Sequence, residues 1–388
     1  MLTQLTHDDV LARCADLAPR LAERSARAEQ LRRLTPETVD ELVALELLPM
    51  VVPTELGGHG LGMTTLAHST RLLAHGCAAS AWTISFLVMH SWLLAKFPVE
   101  ARREFFSPER PWALAPAPLA PTGTLRPVDG GFVVSGRWEW ATAVHHSDWV
   151  MVHAVQTEPE FTTRFVVVPI ADAQVDDVWH TSGMCATGSD TVRLDEVFVP
   201  EHRAVPASEL FAGSTPLSGD GLAGLPVAPM LALMASAPAL GAAERAADLY
   251  RDRIAARILA YSLGDRAVDQ PATHVRLGVV TSDLAAARHH WDAAIAELDA
   301  AAGRDPMSVE RRMALRLAAA ATVRSARSIV GTIAEGAGAS VYFAQSPFQR
   351  FQRDLEVLKG HVIFDWDRTA QLAGRVALGL PLQPTDMV

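Results

Sequence analysis

The chain has 388 residues, 49% of them hydrophobic, enough to fill a substantial core. Its formal net charge of −10 and pI near 5.8 argue against a surface built to bind a phosphate backbone, which needs clustered Lys and Arg. Three scattered cysteines, Cys14, Cys77 and Cys185, have no CxxC spacing, so neither a disulfide framework nor a zinc site is expected, and a reducing cytoplasm suits them.

Residues 1–111 read as an N-terminal helical domain. The first thirty carry Asp8, Asp9 and Asp16 and no continuous apolar core, so no signal peptide is expected. Thr35-Pro36-Glu37 reads as a helix start: an N-cap, a proline at the first helical position and an acid facing the helix dipole. LPMVVPTELGGHGLG (48–62) breaks the helical pattern, and long Ala/Leu-rich helices resume over 65–106. Residues 112–212 read as a β domain, with FVVSGRWEW after an Asp129-Gly130 turn, then SDWVMVHAV, TRFVVVPI and DTVRLDEVFVP. Residues 213–388 return to helix; Leu277, Val280, Leu284, Trp291, Ile295 and Leu298 form one apolar stripe. Leu72–Ala95 and Gly221–Ala243 are free of charge for long enough to span a bilayer. Polar side chains interrupt the first and three prolines the second, so both read as buried helices with their entry loops.

Several motifs have plain structural readings. GAGAS (336–340) follows a long helix, so a Rossmann fingerprint is not expected there, and GGHGLG (57–62) reads as a turn. His145-His146 and His289-His290 are adjacent pairs whose rings cannot point the same way, so no metal site is expected. No GxSxG elbow is present. What remains is a set of aromatic and hydroxyl residues in the β domain: Trp138, Trp140, Thr142, Trp149, Trp179, Thr187 and Ser189. Each tryptophan alone reads as core, whereas the set suits a flat cofactor with short donors at its polar edge.

The segments VPTELGG (52–58), GRWEWAT (136–142), WHTSGMCATGSDTVRLDEVFVP (179–200) and SPFQRFQRD (346–354), in this order and spacing, resemble the acyl-CoA dehydrogenase superfamily over nearly the whole chain. The resemblance implies a mostly α fold with a central β domain: an N-terminal helical domain, a middle β-barrel-like domain and a C-terminal four-helix bundle. It also implies a homotetramer with flavin between the middle and C-terminal domains. Trp140 and Thr142 would then lie beside the flavin ring, Thr142 near N5, with Thr187 and Ser189 lining the same side and Trp179 as packing. Arg253 or Arg257 of a neighbouring subunit would serve the flavin phosphates, beside Gly336 and Gly338 of the Gly-rich turn.

An acyl-CoA dehydrogenase also needs a carboxylate base. One usual placement falls on Val362; the other lies on the helix opening the C-terminal bundle, where no acid occurs between Asp220 and Glu244. SAWTISFLVMHSWLLAKFPVEARREF (80–105) and RDLEVLKGHVIFDWDRTAQLAGRVALG (353–379) instead resemble the oxygenase branch, the two-component monooxygenases. This resemblance implies reduced FMN or FAD from a separate NAD(P)H:flavin reductase, O2 as co-substrate, and a C4a-hydroperoxyflavin that oxygenates an aromatic, polyketide-like or amine substrate. His90 and His361 match active-site histidines of the hydroxylases. The serine that such hydroxylases often carry has no counterpart in ALAPAPLAP (113–121), and Cys185 stands where an arginine is usual. A dehydrogenase acting on an acyl thioester and a non-catalytic flavin-binding protein are the alternatives.

Overall fold

A computed structural model describes residues 4–211, 220–302, 307–383, 386 and 388. The boundary read at 212/213 lies outside the described residues. The chain begins with α1 (His7–Leu31), whose first turn is closed by a reciprocal Thr6/Asp9 capping box. Next come α2 (Pro36–Ala44), with Pro36 at its first position as the sequence suggests, then α3 (Met63–Ala74), α4 (Ala78–Ala95) and α5 (Val99–Phe105). Seven strands follow: β1 (Gly123–Val128), β2 (Gly131–Ala141), β3 (Trp149–Gln156), β4 (Thr162–Pro169), β5 (Gln174–Asp176), β6 (Asp190–Pro200) and β7 (Ala204–Pro206). Then α6 (Ala207–Phe211), α7 (Val227–Ala256), α8 (Pro271–Asp299), α9 (Val309–Ala337), α10 (Pro347–Leu358) and α11 (Trp366–Ala377) complete the chain.

The strands make one sheet in the order β5-β6-β2-β1-β3-β4-β7. Pairing is antiparallel throughout except for β1 with β3, which is parallel. The near-continuous apolar runs of β3 and β4 have a simple cause: both faces of this part of the sheet are covered. Met151, Phe165 and Val167 point into the main helical core. Val150, Val152, Val166 and Val168 alternate with them into a second core shared with Leu125, Val134, Trp138 and Val192.

Of the two candidate bilayer spans, Leu72–Ala95 covers the end of α3, a turn and α4, and Gly221–Ala243 covers a turn and the start of α7; the apolar windows of α4 and α7 are 94% buried. They are core elements, as the interrupting polar and proline residues suggest. α3 and α4 pack on α7, which in turn packs on α9, and α8 on both, so the first and last thirds of the chain share one core. The stripe on α8 is confirmed at Val280, Trp291, Ile295 and Leu298, which are buried, while Leu277 and Leu284 are half-buried at its edge. Trp291 is fully buried and donates its indole N–H to Ser236 Oγ at 2.9 Å. Replacing Trp291 by Ala removes that ring from between α7 and α8, and a loss of about 3–5 kcal/mol is expected for a large aromatic. Urea denaturation followed by circular dichroism measures it; an unchanged midpoint would show that α8 is not held through this side chain.

Candidate active site

Four elements converge on one region. β2 carries a bulge: its register with β6 shifts between Trp138↔Val192 and Ala141↔Asp190, so Glu139 and Trp140 together oppose Thr191. Trp140 sits at φ +63, a left-handed conformation costly for an aromatic residue, and the residue is 63% exposed. The bulge therefore turns Trp140 outward while Thr142 enters the interior. Trp138, grouped with Trp140 in the sequence, instead fills the second core and donates to His153 O at 2.7 Å.

Thr142, Ser189 and Thr187 are all buried and form a row of hydroxyls. Thr142 Oγ1 lies 2.9 Å from Ser189 Oγ, which lies 2.8 Å from Thr187 Oγ1. The Trp82 indole N–H reaches Thr142 Oγ1 at 3.5 Å, and an indole can only donate. Trp82 is thus the link between the hydroxyl row and α4.

On α4, Trp82, Phe86 and His90 recur every fourth residue and form one row on one helix face. Ring centroids are 4.7 Å apart for Trp82–Phe86 and 5.2 Å for Phe86–His90. His361, in the turn after α10, meets Trp82 edge-on at 5.5 Å and Phe364 at 5.8 Å. Phe86 and His361 are only half-buried in this otherwise closed region.

Hydrogen bonds set the two imidazoles to opposite polarity. His90 Nδ1 lies 2.8 Å from the Ala115 carbonyl, which can only accept, so Nδ1 carries the proton and Nε2 is left as an acceptor. His361 Nδ1 accepts from the Ile363 N–H at 3.3 Å, so its proton resides on Nε2, which is left as a donor. Burial pushes both rings down to about 4.

Arg253, Arg257, Gly336 and Gly338 form a second cluster at the end of α9. Arg253 Nε donates to Ala337 O and its Nη2 to Ser340 Oγ, both at 2.6 Å, while Arg257 Nη1 donates to Gly336 O at 2.9 Å. A Cβ at Gly338, where φ is +78, would lie 2.5 Å from Arg257 Nη2. Among the described residues no carboxylate pairs with either arginine. Two cations held only by neutral oxygens are ready for an anion.

Both placements of a dehydrogenase base fail in space as well as in sequence. Val362 is exposed. Glu244, the first acid after Asp220, is buried among Arg71, His75 and Arg288, with O–N distances of 3.1, 2.9 and 2.6 Å, and these groups hold it below the usual carboxylate range despite burial. His145 pairs with Asp190 at 2.7 Å, and among the described residues no group of three or more metal-ligating side chains occurs. Trp82 and Phe86 escaped the sequence reading: their spacing from His90 is visible, but on a helix with almost no polar face it cannot be told from core packing.

The family models for the acyl-CoA dehydrogenase N-terminal and C-terminal domains match residues 7–109 and 233–366. The chain is 31% identical to a pigment production hydroxylase of Rhodococcus sp. (strain ATCC 21145), over 97% of this chain and 98% of that one. It is 30% identical to HsaA of Mycobacterium tuberculosis, the oxygenase subunit of a flavin-dependent monooxygenase, over 98% of each. XiaF from Streptomyces sp., solved with FADH2 and glycerol, superposes with a TM-score of 0.90 at 26% identity, covering 98% of this chain and 96% of XiaF. The chain belongs to the acyl-CoA dehydrogenase superfamily, in its branch of flavin-dependent oxygenase components. It is the oxygenase component of a two-component monooxygenase, acting with reduced flavin, O2, a small organic substrate and a separate flavin reductase.

The two imidazoles give a pH prediction. Free histidine titrates near 6.5, whereas His90 and His361 in the fold do so at about 4, so protonation penalises the folded state progressively as pH falls below about 6.5. Histidine ring NMR from pH 7.5 to 5.5 is expected to show both rings neutral throughout. A midpoint near 6.5 for either ring would mean that water reaches it.

Proposed function

We propose that the site oxygenates a small aromatic substrate carrying a hydroxyl group, bound along the row His90, Phe86, Trp82 and His361. The observation that carries this reading is the opposite polarity of the two imidazoles at either end of an aromatic pair. His90 Nε2 accepts from the substrate hydroxyl and can take its proton as charge develops; His361 Nε2–H donates to the oxygen that leaves as water. The apolar walls of α4 exclude bulk water from both.

The residues fit a flavin on grounds of their own chemistry. Trp140 offers an exposed flat face, the Thr187–Ser189–Thr142 row offers a hydroxyl proton at a polar edge, and Arg253 and Arg257 with Gly336 and Gly338 offer cations and a close backbone approach to phosphate. Bound reduced FMN or FAD supplies the activation of O2 and the transfer of one of its oxygen atoms. With Thr187 donating to Ser189 and Ser189 to Thr142, the Thr142 proton is free to point at the cofactor. This row supplies the hydroxyl that the 113–121 segment lacks.

The arginine cluster is assigned to the flavin of a neighbouring copy in a homotetramer. Ile258, Tyr261 and Leu263 just beyond Arg257, and Tyr342 and Phe343 just beyond Ser340, are exposed apolar side chains that a second copy would cover. The enzyme is assigned to the cytoplasm, in keeping with three free buried cysteines.

His361→Ala is expected to bind reduced FMN as the parent does and to lose about a hundredfold in product formation, the ordinary scale of general acid–base catalysis; unchanged turnover would remove His361 from the chemistry. Thr142→Ala is expected to divert oxygen to hydrogen peroxide. The reading as a whole is tested by stopped-flow absorbance after mixing reduced FMN and protein with oxygen, where oxidation slower than that of free flavin is expected. Oxidation at the free-flavin rate would favour a flavoprotein without oxygenase chemistry.

A further inference from the structure

α10 ends three residues before His361 and also grips the loop that carries Thr187 and Ser189. The Asp354 carboxyl is buried, and its Oδ1 accepts from the Met184 N–H at 2.5 Å. Arg353 donates to the Ser182 carbonyl and pairs with Glu29 at 2.6 Å; Arg350 pairs with the other Glu29 oxygen at 2.9 Å and with Ser25 Oγ at 2.6 Å. The contact between loop and helix is close enough to require glycine: a Cβ on Gly183 would lie 2.2 Å from the Arg353 carbonyl oxygen. Met184 itself is held at φ +54, a conformation that a methionine adopts only when its surroundings enforce it. From there the chain is tied directly to the hydroxyl row, since Thr187 N–H donates to Met184 O at 3.1 Å and Ala143 N–H to Thr187 O at 3.0 Å.

We infer that Asp354 is a positioning residue that fixes the 181–189 loop on α10, keeping the Thr187–Ser189–Thr142 hydroxyls in register with His361. For stability alone a buried acid is a poor choice. Its Oδ2 has no partner among the described residues, and an apolar side chain would cost less to bury. What the carboxyl provides, and an apolar side chain cannot, is a directional bond that holds Met184 in its left-handed conformation. One helix thereby sets both the imidazole and the hydroxyls, which otherwise belong to segments far apart in sequence.

The joint stands on geometry; its consequence for the reaction rests on the oxygenase reading. The test compares Asp354→Ala and Asp354→Asn with the parent by amide hydrogen exchange of the 183–189 segment and by product formed per reduced FMN oxidised. Losing the buried hydrogen bond that Asp354 Oδ1 accepts is expected to speed exchange in that segment about tenfold or more in the alanine variant, and to shift oxygen from product to hydrogen peroxide. Asparagine keeps the Oδ1 acceptor and is expected to match the parent in both. Unchanged exchange in the alanine variant, or an asparagine variant as impaired as alanine, overturns the joint. Faster exchange with undiminished product yield overturns its link to the site. Should the alanine variant not accumulate, Gly183→Ala pushes the same loop off the Arg353 carbonyl and is expected to give the same pair of effects; its failure to do so also overturns the inference. A parent protein that forms no product but shows the expected exchange pattern would sink the oxygenase reading and leave the joint standing.

Discussion

The desolvation of α4 is the constraint on which the site depends. Nearly every side chain from Ala78 to Ala95 is buried, so the few polar groups on this helix must find partners inside the protein. Ser85 turns back to the Trp82 carbonyl of its own helix, and others reach the segments that flank the sheet. His90 binds the Ala115 carbonyl, Ser91 Oγ accepts from Ala113 N–H at 3.1 Å, and Thr83 reaches Ala186 O at 3.3 Å. Trp82 reaches Thr142. Through these four side chains an apolar helix fixes the approach to β3, the hydroxyl loop and the end of β2 together. The same burial keeps His90 neutral and selects its tautomer, so the fold and the acid–base character of the site have one cause.

The parts of this arrangement that repeat locally were legible in the sequence, and those that depend on long-range contact were not. The strands FVVSGRWEW and TRFVVVPI announce themselves through β-branched residues, and the apolar stripe of α8 through its spacing. By contrast, three-residue β5 and β7 carry too few side chains to show a period and pair only because β6 and β4 lie beside them. β1, with Gly123 and Pro127, lacks a strand-like pattern and is ordered by β2. The candidate residues followed the same division. Thr142, Thr187 and Ser189 stand out as a hydroxyl set in the β domain and His90 and His361 by resemblance of their motifs, whereas the polarity of the two imidazoles depends on carbonyl and amide partners at Ala115 and Ile363 that no motif marks.

Trp140 illustrates how the sheet meets the site. A bulge raises the local twist and leaves residues outside the ladder, and here it does so immediately before Thr142. The alternation of β2 places Trp138 inside the second core; without the bulge Trp140 would follow it inward. Because two residues oppose one, the tryptophan emerges and the threonine meets Ser189 instead. The strained backbone at Trp140 is held by β6 on one side and by the hydroxyl row on the other.

The charge distribution completes the division of labour between the two clusters. Around His90 and His361 the described partners are carbonyls, amides and aromatic rings, an environment that keeps an imidazole uncharged and able to pass a proton in either direction. Around Arg253 and Arg257 the partners are again neutral, yet the guanidinium groups keep their charge because arginine cannot shed its proton at physiological pH. Arg253 is lowered from its ordinary value first by burial and then by Arg257 beside it. Neutral surroundings therefore leave an uncharged ring where the group can discharge, and a standing cation where it cannot.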